Sequence, residues 1–267
     1  MSFNLRLNLE ADGENAWPYR KDFVVSLIKS YNPDLLGVQE ALPEMCDYLI
    51  RNLNISYEFW GRGRAANGSD EASALFFKRN EWKKLDGGHF WLSETPYVPG
   101  SMLANVSLPR IVSWVKLMRN ADKKTYFYFN THYAYENEEV RFQETLIYQQ
   151  QLKNITKKDY LTQEKKLILS GDFNALPNET CIEMWTNHTF TNLQDSINAI
   201  EQDPEVDYGT FHAWSGKANG TRIDYIMVSD DFDLIDYKII HDTRNGRYPS
   251  DHFPIIAEFG LKSSNLS

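Results

Sequence analysis

The chain is short of cysteine, of positive charge and of long apolar runs, and each shortage removes a class of protein. Two cysteines, Cys46 and Cys181, lie far apart in sequence and make neither a disulfide framework nor a zinc site, so both read as core or incidental thiols. A formal net charge of -9 repels polyanions and argues against nonspecific, high-affinity binding of duplex nucleic acid. No apolar stretch has the length that spans a bilayer, so no membrane insertion is expected. No signal peptide is read, and the chain opens inside a strand-like segment. The compartment therefore stays open between the cytoplasm and export behind an upstream leader. Linker-like Pro/Gly/Ser tracts and low-complexity segments are also missing.

What is present suits one substantial core: 267 residues, of which 42% are hydrophobic and 14% aromatic. Phe3 to Leu7 reads as a strand, opening from Met1. Pro18 stands near the start of a helix whose Phe23, Val24, Leu27, Ile28 and Tyr31 share one face, and Asn32-Pro33 stops it. Leu35 to Val38 is a short apolar strand that delivers Gln39 and Glu40 at its carboxyl end. The order recurs later: Tyr126 to Thr131 is a strand ending at His132, a charged helix follows from about Glu138 to Lys158, and Leu167 to Leu169 leads into Gly171-Asp172-Phe173-Asn174. Further strands are expected at Ala74 to Phe77, Gly88 to Trp91, Arg110 to Met118, Arg222 to Val228, Asp236 to Ile240 and Phe253 to Phe259. A hairpin through Asn120-Ala121-Asp122 joins Arg110 to Met118 with the strand Tyr126 to Thr131. Many strands with few helices between them predict an α/β (α+β) fold, two packed mixed sheets flanked by helices, rather than one doubly wound sheet.

Polar residues at the ends of those strands carry the chemistry. Asn4, Glu40, His132, Asp172, Asn174, Asp224, Asp251 and His252 all fall within or beside apolar segments, where a charge or amide costs free energy unless partnered. Each has a plain reading taken singly: Asn4 as a satisfied core amide, Glu40 as a capping or ion-paired carboxylate, Asp224 as the partner of a nearby Arg, Asp251-His252 as a turn. Together they form a chemically complete set, with carboxylates for a cation, a His with a carboxylate to orient it, and donors for a developing charge.

The strings Ser2-Phe3-Asn4, Gln39-Glu40, Asn130-Thr131-His132, Gly171-Asp172-Phe173-Asn174, Arg222-Ile223-Asp224-Tyr225-Ile226 and Ser250-Asp251-His252-Phe253-Pro254 stand in the order and spacing of the endonuclease/exonuclease/phosphatase superfamily, which the chain resembles over nearly its whole length. Phe90-Trp91-Leu92-Ser93-Glu94-Thr95-Pro96 and Arg110-Ile111-Val112-Ser113-Trp114 look like its bacterial branch, related to the carbon-catabolite-repressor deadenylases. The resemblance implies a four-layer α/β/β/α sandwich, with residues 1–262 forming one domain and 263–267 a tail. It implies Glu40 as principal metal ligand with Asp251 nearby and Asn4 contributing directly or through water. It further implies that Asp172 and Asn174 position the attacking water and the scissile phosphate, that His132 is a phosphate-contacting donor, and that Asp224 orients His252. Whether Asp172 or His252 takes the proton is left open.

Oxygen donors without thiolates select Mg²⁺ or Mn²⁺ over Zn²⁺. The expected function is a divalent-metal-dependent hydrolase of phosphate esters. A phosphodiesterase or nuclease of exonuclease or deadenylase-like type ranks first, acting on single-stranded nucleic acid or a nucleotide. The alternatives are a phosphatase, a phospholipid or sugar-phosphate phosphodiesterase similar to sphingomyelinases, and a phosphate-binding module that has lost catalysis. A monomer is expected. Arg62 and Arg64, in the glycine-rich loop 61–71, are candidates to meet substrate phosphate, against the plainer reading of a solvated surface loop. Trp17, Trp91 and Trp114 are candidates to stack on a base or sugar, with core packing the plainer reading.

Overall fold

The computed structural model describes residues 1–157, 166–186 and 193–262. Along the chain run β1 (Ser2–Asn4), α1 (Trp17–Tyr31), β2 (Leu35–Ala41), α2 (Pro43–Leu53), β3 (Tyr57–Trp60), β4 (Ala72–Lys78), β5 (Trp82–Trp91), β6 (Ile111–Arg119), β7 (Thr125–His132), α3 (Glu138–Thr156), β8 (Lys166–Asp172), α4 (Thr180–Thr186), β9 (Leu193–Asp195), β10 (Asp224–Ser229), β11 (Phe232–Ile239) and β12 (Ile255–Leu261). They form two six-stranded mixed sheets, ordered β11-β12-β1-β2-β4-β3 and β5-β6-β7-β8-β10-β9. The repeated strand, helix, strand order is structural: β1 pairs parallel with β2, and β7 pairs parallel with β8.

Three cores separate four layers, and the alternation of strand side chains assigns residues to them. In β7, Phe127 and Phe129 face the α3/α4 layer while Tyr126 and Tyr128 face the other sheet. In β2, Leu36 and Val38 face the α1/α2 layer and Leu35 the space between the sheets. A strand buried on both faces needs apolar residues at successive positions, which is why these strands read as continuous apolar runs.

Toward one end of the space between the sheets, polar side chains replace the apolar ones. Asn130 Nδ2 donates to the carbonyls of Val38 and Ala74 across the gap, at 2.9 Å each. Asn130 Oδ1 accepts from Gln39 Nε2 at 2.7 Å and from Ser170 Oγ at 3.0 Å. These bonds tie sheet to sheet where Gly37 permits the closest approach: a Cβ there would stand 2.4 Å from Ser170 Oγ and 2.7 Å from Asn130 Oδ1.

The elements differ from expectation in several places. The first strand stops at Asn4 rather than Leu7, because Arg6 takes a left-handed conformation (φ 54°) and turns the chain out of the sheet. Helices α2, with Met45, Cys46, Leu49 and Leu53 buried, and α4, and strands β3 and β9, are not among the expected elements. Helix α3 runs to Thr156, and Lys158 and the tail 263–267 lie outside the described residues. Cys46 and Cys181 are free and buried. No helix among the described residues is long and apolar enough to cross a membrane.

Candidate active site

Strand register assembles one line of the site. On the second sheet His132 stands opposite Asp172, and Asp172 opposite Asp224, so three adjacent strands present three polar side chains in a row. On the facing sheet, Asn4 pairs with Gln39, and Glu40 follows one residue later. Backbone strain marks the same place: Glu40 (φ 56°) and Asn174 (φ 48°) are left-handed non-glycine residues, and the β2 to β4 pairing is irregular between Val38 and Ala41. Such conformations persist only where the surroundings enforce them.

Asn4 bridges the two sheets: its Nδ2 donates to Glu40 Oε1 at 3.0 Å and to Asp172 Oδ2 at 2.8 Å. Its oxygen is taken by Arg6 N at 2.9 Å, and Glu40 Oε2 accepts from Leu7 N at 2.9 Å. Asp172 Oδ1 accepts from Asn174 N at 2.9 Å. Asn174 Nδ2 donates to Tyr133 O at 2.9 Å and lies 3.0 Å from His132 Nε2. The Asn174 amide, fixed by Tyr133 O, makes His132 Nε2 an acceptor, so the ring hydrogen sits on Nδ1, 3.9 Å from Glu71 Oε2.

His252 is buried with Nδ1 2.9 Å from Asp224 Oδ2 and Nε2 3.7 Å from Asp172 Oδ2. The turn that carries it is fixed from both sides. His252 N bonds Ser250 Oγ, and the buried Arg20 of α1 donates to Pro249 O as well as to the carbonyls of Leu5 and Arg6. Asp251 Oδ2 lies 3.7 Å from Arg6 Nε, whose guanidinium also grips Asp12 at 3.0 Å.

Crowded buried carboxylates set the electrostatics. Burial, then Asp224, pushes the Asp172 carboxyl up to about 7. Asp251 is pushed up by burial and by Glu40. Burial, with Glu40 adding, pushes Glu71 up to about 7 against the pull of Arg64. Burial disfavours the imidazolium of His252, yet Asp224, Asp172 and Asp251 outweigh it and raise the ring to about 10. His132 goes the other way: burial, then Arg110 and Arg64, hold it well below its usual value, so it is neutral.

The donor chemistry fits a hard divalent cation. Glu40, His132 and Asp172 bring ligand atoms within 4.8 Å of one another, and so do Asp172, Asp224 and His252. In the second group the Asp224 to His252 bond is already made. The first group, with Asp251 acting on Glu40, leaves carboxylate oxygens that repel one another and that a cation would neutralise.

All eight strand-end candidates lie in this connected set. Of the loop candidates, Arg64 is buried and paired with Glu71 at 2.6 Å and Asp70 at 3.1 Å, while Arg62 lies over the Trp91 ring and donates to Ala66 O. Trp17 and Trp91 are buried, and Trp114 packs beside Phe127 and Phe129. Three neighbours escaped the sequence reading: Arg6, Glu71 and Arg110. Each is a charged residue within one or two positions of a strand, where the stacking of the sheets decides whether it is solvated or enclosed.

Four likenesses bear on this geometry. The sequence profile described as "Endonuclease/Exonuclease/phosphatase family" matches residues 1–252. The structure is similar to an endonuclease/exonuclease/phosphatase from Bacteroides vulgatus, with a TM-score of 0.87 and 29% identity over 98% of this chain and 97% of that one. It is also similar to a mannosyl-6-phosphatase from Bacteroides thetaiotaomicron, with a TM-score of 0.87 and 27% identity over 97% of this chain and 98% of that one. Human Nocturnin's catalytic domain shares the fold, with a TM-score of 0.74 and 23% identity over 97% of this chain and 92% of that one.

Proposed function

Because the chain belongs to the endonuclease/exonuclease/phosphatase family, whose members hydrolyse phosphoesters, we propose that it is a Mg²⁺- or Mn²⁺-dependent phosphoesterase that attacks phosphorus with water between Asp172 and His252. The observation that carries this reading is the shared Asp172 oxygen: Oδ2 takes Asn4 at 2.8 Å and lies 3.7 Å from His252 Nε2.

In this reading Glu40 and Asp251 hold the cation, and Asn4 holds Glu40 and Asp172 at a fixed separation. A divalent cation there supplies charge neutralisation at the phosphate and at the leaving oxygen. Asn174 keeps Asp172 aimed through its backbone N–H and holds His132 with its amide. Asp172 receives the proton of the attacking water. His252, held by Asp224 through Nδ1, presents Nε2–H to a phosphate oxygen as charge develops. His132 offers its Nδ1–H from the opposite side.

Between a nuclease and a phosphatase, one likeness above 25% identity names a substrate class, the 27% identical mannosyl-6-phosphatase, and a net charge of -9 disfavours long polyanions. We therefore rank a small phosphate ester ahead of a nucleic acid. The test is phosphate release from 4-nitrophenyl phosphate, mannose 6-phosphate and labelled poly(A), each with Mg²⁺, Mn²⁺ or EDTA. Metal-dependent turnover that collapses in His252→Ala is expected; full activity in EDTA, or wild-type rates in that variant, refutes the reading.

A further inference from the structure

Beside the catalytic carboxylates lies a small recess lined by Glu40, Arg64, Glu71, Ser73, Arg110 and His132, among others. Its free volume is about 10 Å³, room for one oxygen-sized group and no more. Arg110, immediately before β6, is only 3% exposed, and its Nε and Nη1 are buried without a hydrogen-bond partner among the described residues. None of the ion pairs among those residues includes it.

A buried guanidinium is expensive unless an anion meets it. The nearby carboxylates Glu71, Glu136 and Glu144 feel its charge, but none of them pairs with it. Glu71 is taken by Arg64 at 2.6 Å, and Glu144, buried, accepts from Ala134 N at 2.9 Å with its carboxyl pushed up to about 8 by burial. Glu136 binds Ser107 through Oε1. Arg110 rests its cation on the Tyr135 ring, 5.7 Å from the centroid, which orients the fork without neutralising it.

We propose that Arg110 is the receptor for a non-bridging oxygen of a terminal phosphate, making this a site for phosphomonoesters rather than for the interior of a phosphodiester chain. The inference rests on the phosphoesterase reading above. A phosphomonoester dianion carries three oxygens free of substituents. One faces the carboxylate-held cation, one faces His252, and the third enters the recess between His132 and Arg110. In a diester one of these oxygens bears a carbon substituent, and a recess of this size, walled by the buried Arg64 to Glu71 pair, has no space for it. The guanidinium fork matches a phosphate edge, which an ammonium on the same backbone does not.

The test uses the full chain with Mg²⁺ and three forms: wild type, Arg110→Gln and Arg110→Lys. Inorganic phosphate binding is measured by calorimetry and by the thermal shift it produces, and turnover is measured on 4-nitrophenyl phosphate and on bis(4-nitrophenyl) phosphate. Without phosphate, Arg110→Gln is expected to unfold at or above the wild-type temperature, since it removes a buried charge that no carboxylate pairs with. Phosphate affinity should fall about 10- to 100-fold in Arg110→Gln, with Arg110→Lys between. Monoester kcat/KM should fall by a similar factor while the diester rate stays within about threefold of wild type. Equal phosphate affinity in wild type and Arg110→Gln, or equal losses on both esters, overturns the proposal while leaving metal-dependent hydrolysis intact. Arg110-dependent phosphate binding without any turnover would instead remove the phosphoesterase reading and keep the receptor. Should Arg110→Gln not fold, Arg110→Lys decides, and wild-type phosphate affinity in it overturns the proposal.

Discussion

Asp172 and Asp224 are direct cross-strand partners on β8 and β10, and one imidazole spans them, with His252 Nδ1 2.9 Å from Asp224 Oδ2 and Nε2 3.7 Å from Asp172 Oδ2. The two carboxylates therefore hold different offices. Asp224 is tied to the ring, and Asp172 is bonded by Asn4 and Asn174.

Asp224→Asn should separate these offices. The amide keeps the shape of the carboxylate but removes the charge that orients the His252 ring and keeps it protonated. We expect kcat to fall by roughly 10²- to 10⁴-fold with KM little changed and the circular dichroism spectrum unaltered. A kcat within about threefold of wild type would show that His252 needs no orienting anion.

Glu40→Ala tests the cation site without reference to turnover. Mn²⁺ at a hundred times its dissociation constant should stabilise the wild-type protein by about 2.7 kcal/mol, seen as a rise in Tm that EDTA reverses. Glu40→Ala should lose most of that rise while unfolding near the wild-type temperature in EDTA, because relief of repulsion with Asp251 offsets the lost bonds to Asn4 and Leu7. An undiminished Mn²⁺ shift would place the ion elsewhere.

How much of this was legible in the sequence follows from where the information sits. Period-two alternation and continuous apolar runs revealed the central strands β2, β7 and β8, because their burial on both faces writes itself into successive residues. Strand-end polar residues single out Asn4, Glu40, Asp172, Asp224 and His252 as candidates, because such groups are costly to bury unpartnered. Helix α2 went unread although Met45, Cys46, Leu49 and Leu53 hold helical spacing, since Asn54 and Ser56 leave no strong stop before the short β3. Arg6, Glu71 and Arg110 were passed over for a different reason: whether a charged residue beside a strand is solvated or buried depends on how the sheets stack. Arg64 shows the same limit. It reads as an exposed loop cation and is in fact enclosed by Asp70 and Glu71.

The close approach of the sheets at Gly37 gives a stability prediction. A methyl group there meets Ser170 Oγ at 2.4 Å and Asn130 Oδ1 at 2.7 Å, and neither can retreat without breaking the bonds that link Asn130 to Val38, Ala74 and Gln39. Gly37→Ala should cost about 1 to 3 kcal/mol in urea unfolding with an unchanged m-value. Because the same bonds lead up to Glu40, activity should fall as well. A neutral substitution would mean that the sheets slide apart freely.

Glu144 supplies a pH dependence that is independent of the cation site. It is 1% exposed on α3, and Oε2 accepts from Ala134 N at 2.9 Å, anchoring the segment that follows His132. Burial is the largest influence and pushes its carboxyl from 4.5 to about 8, against smaller pulls from the Ala134 N–H and Arg110. The folded chain thus keeps a proton that the unfolded chain has lost across that window. The stability associated with the neutral form is complete below about pH 4.5 and is lost as pH rises through about 8, at no more than about 1.4 kcal/mol per pH unit. Glu144→Gln keeps an oxygen for Ala134 N and never ionises. Its Tm should match wild type near pH 5, exceed it increasingly between about pH 5 and 8, and hold a constant lead of several degrees beyond. Thermal unfolding of both proteins at about pH 5, 6.5, 8 and 9 reads the difference directly. A lead that stays flat across the series, or reverses, would mean that Glu144 is ionised in the folded protein, with its charge met by Arg110 or Arg141.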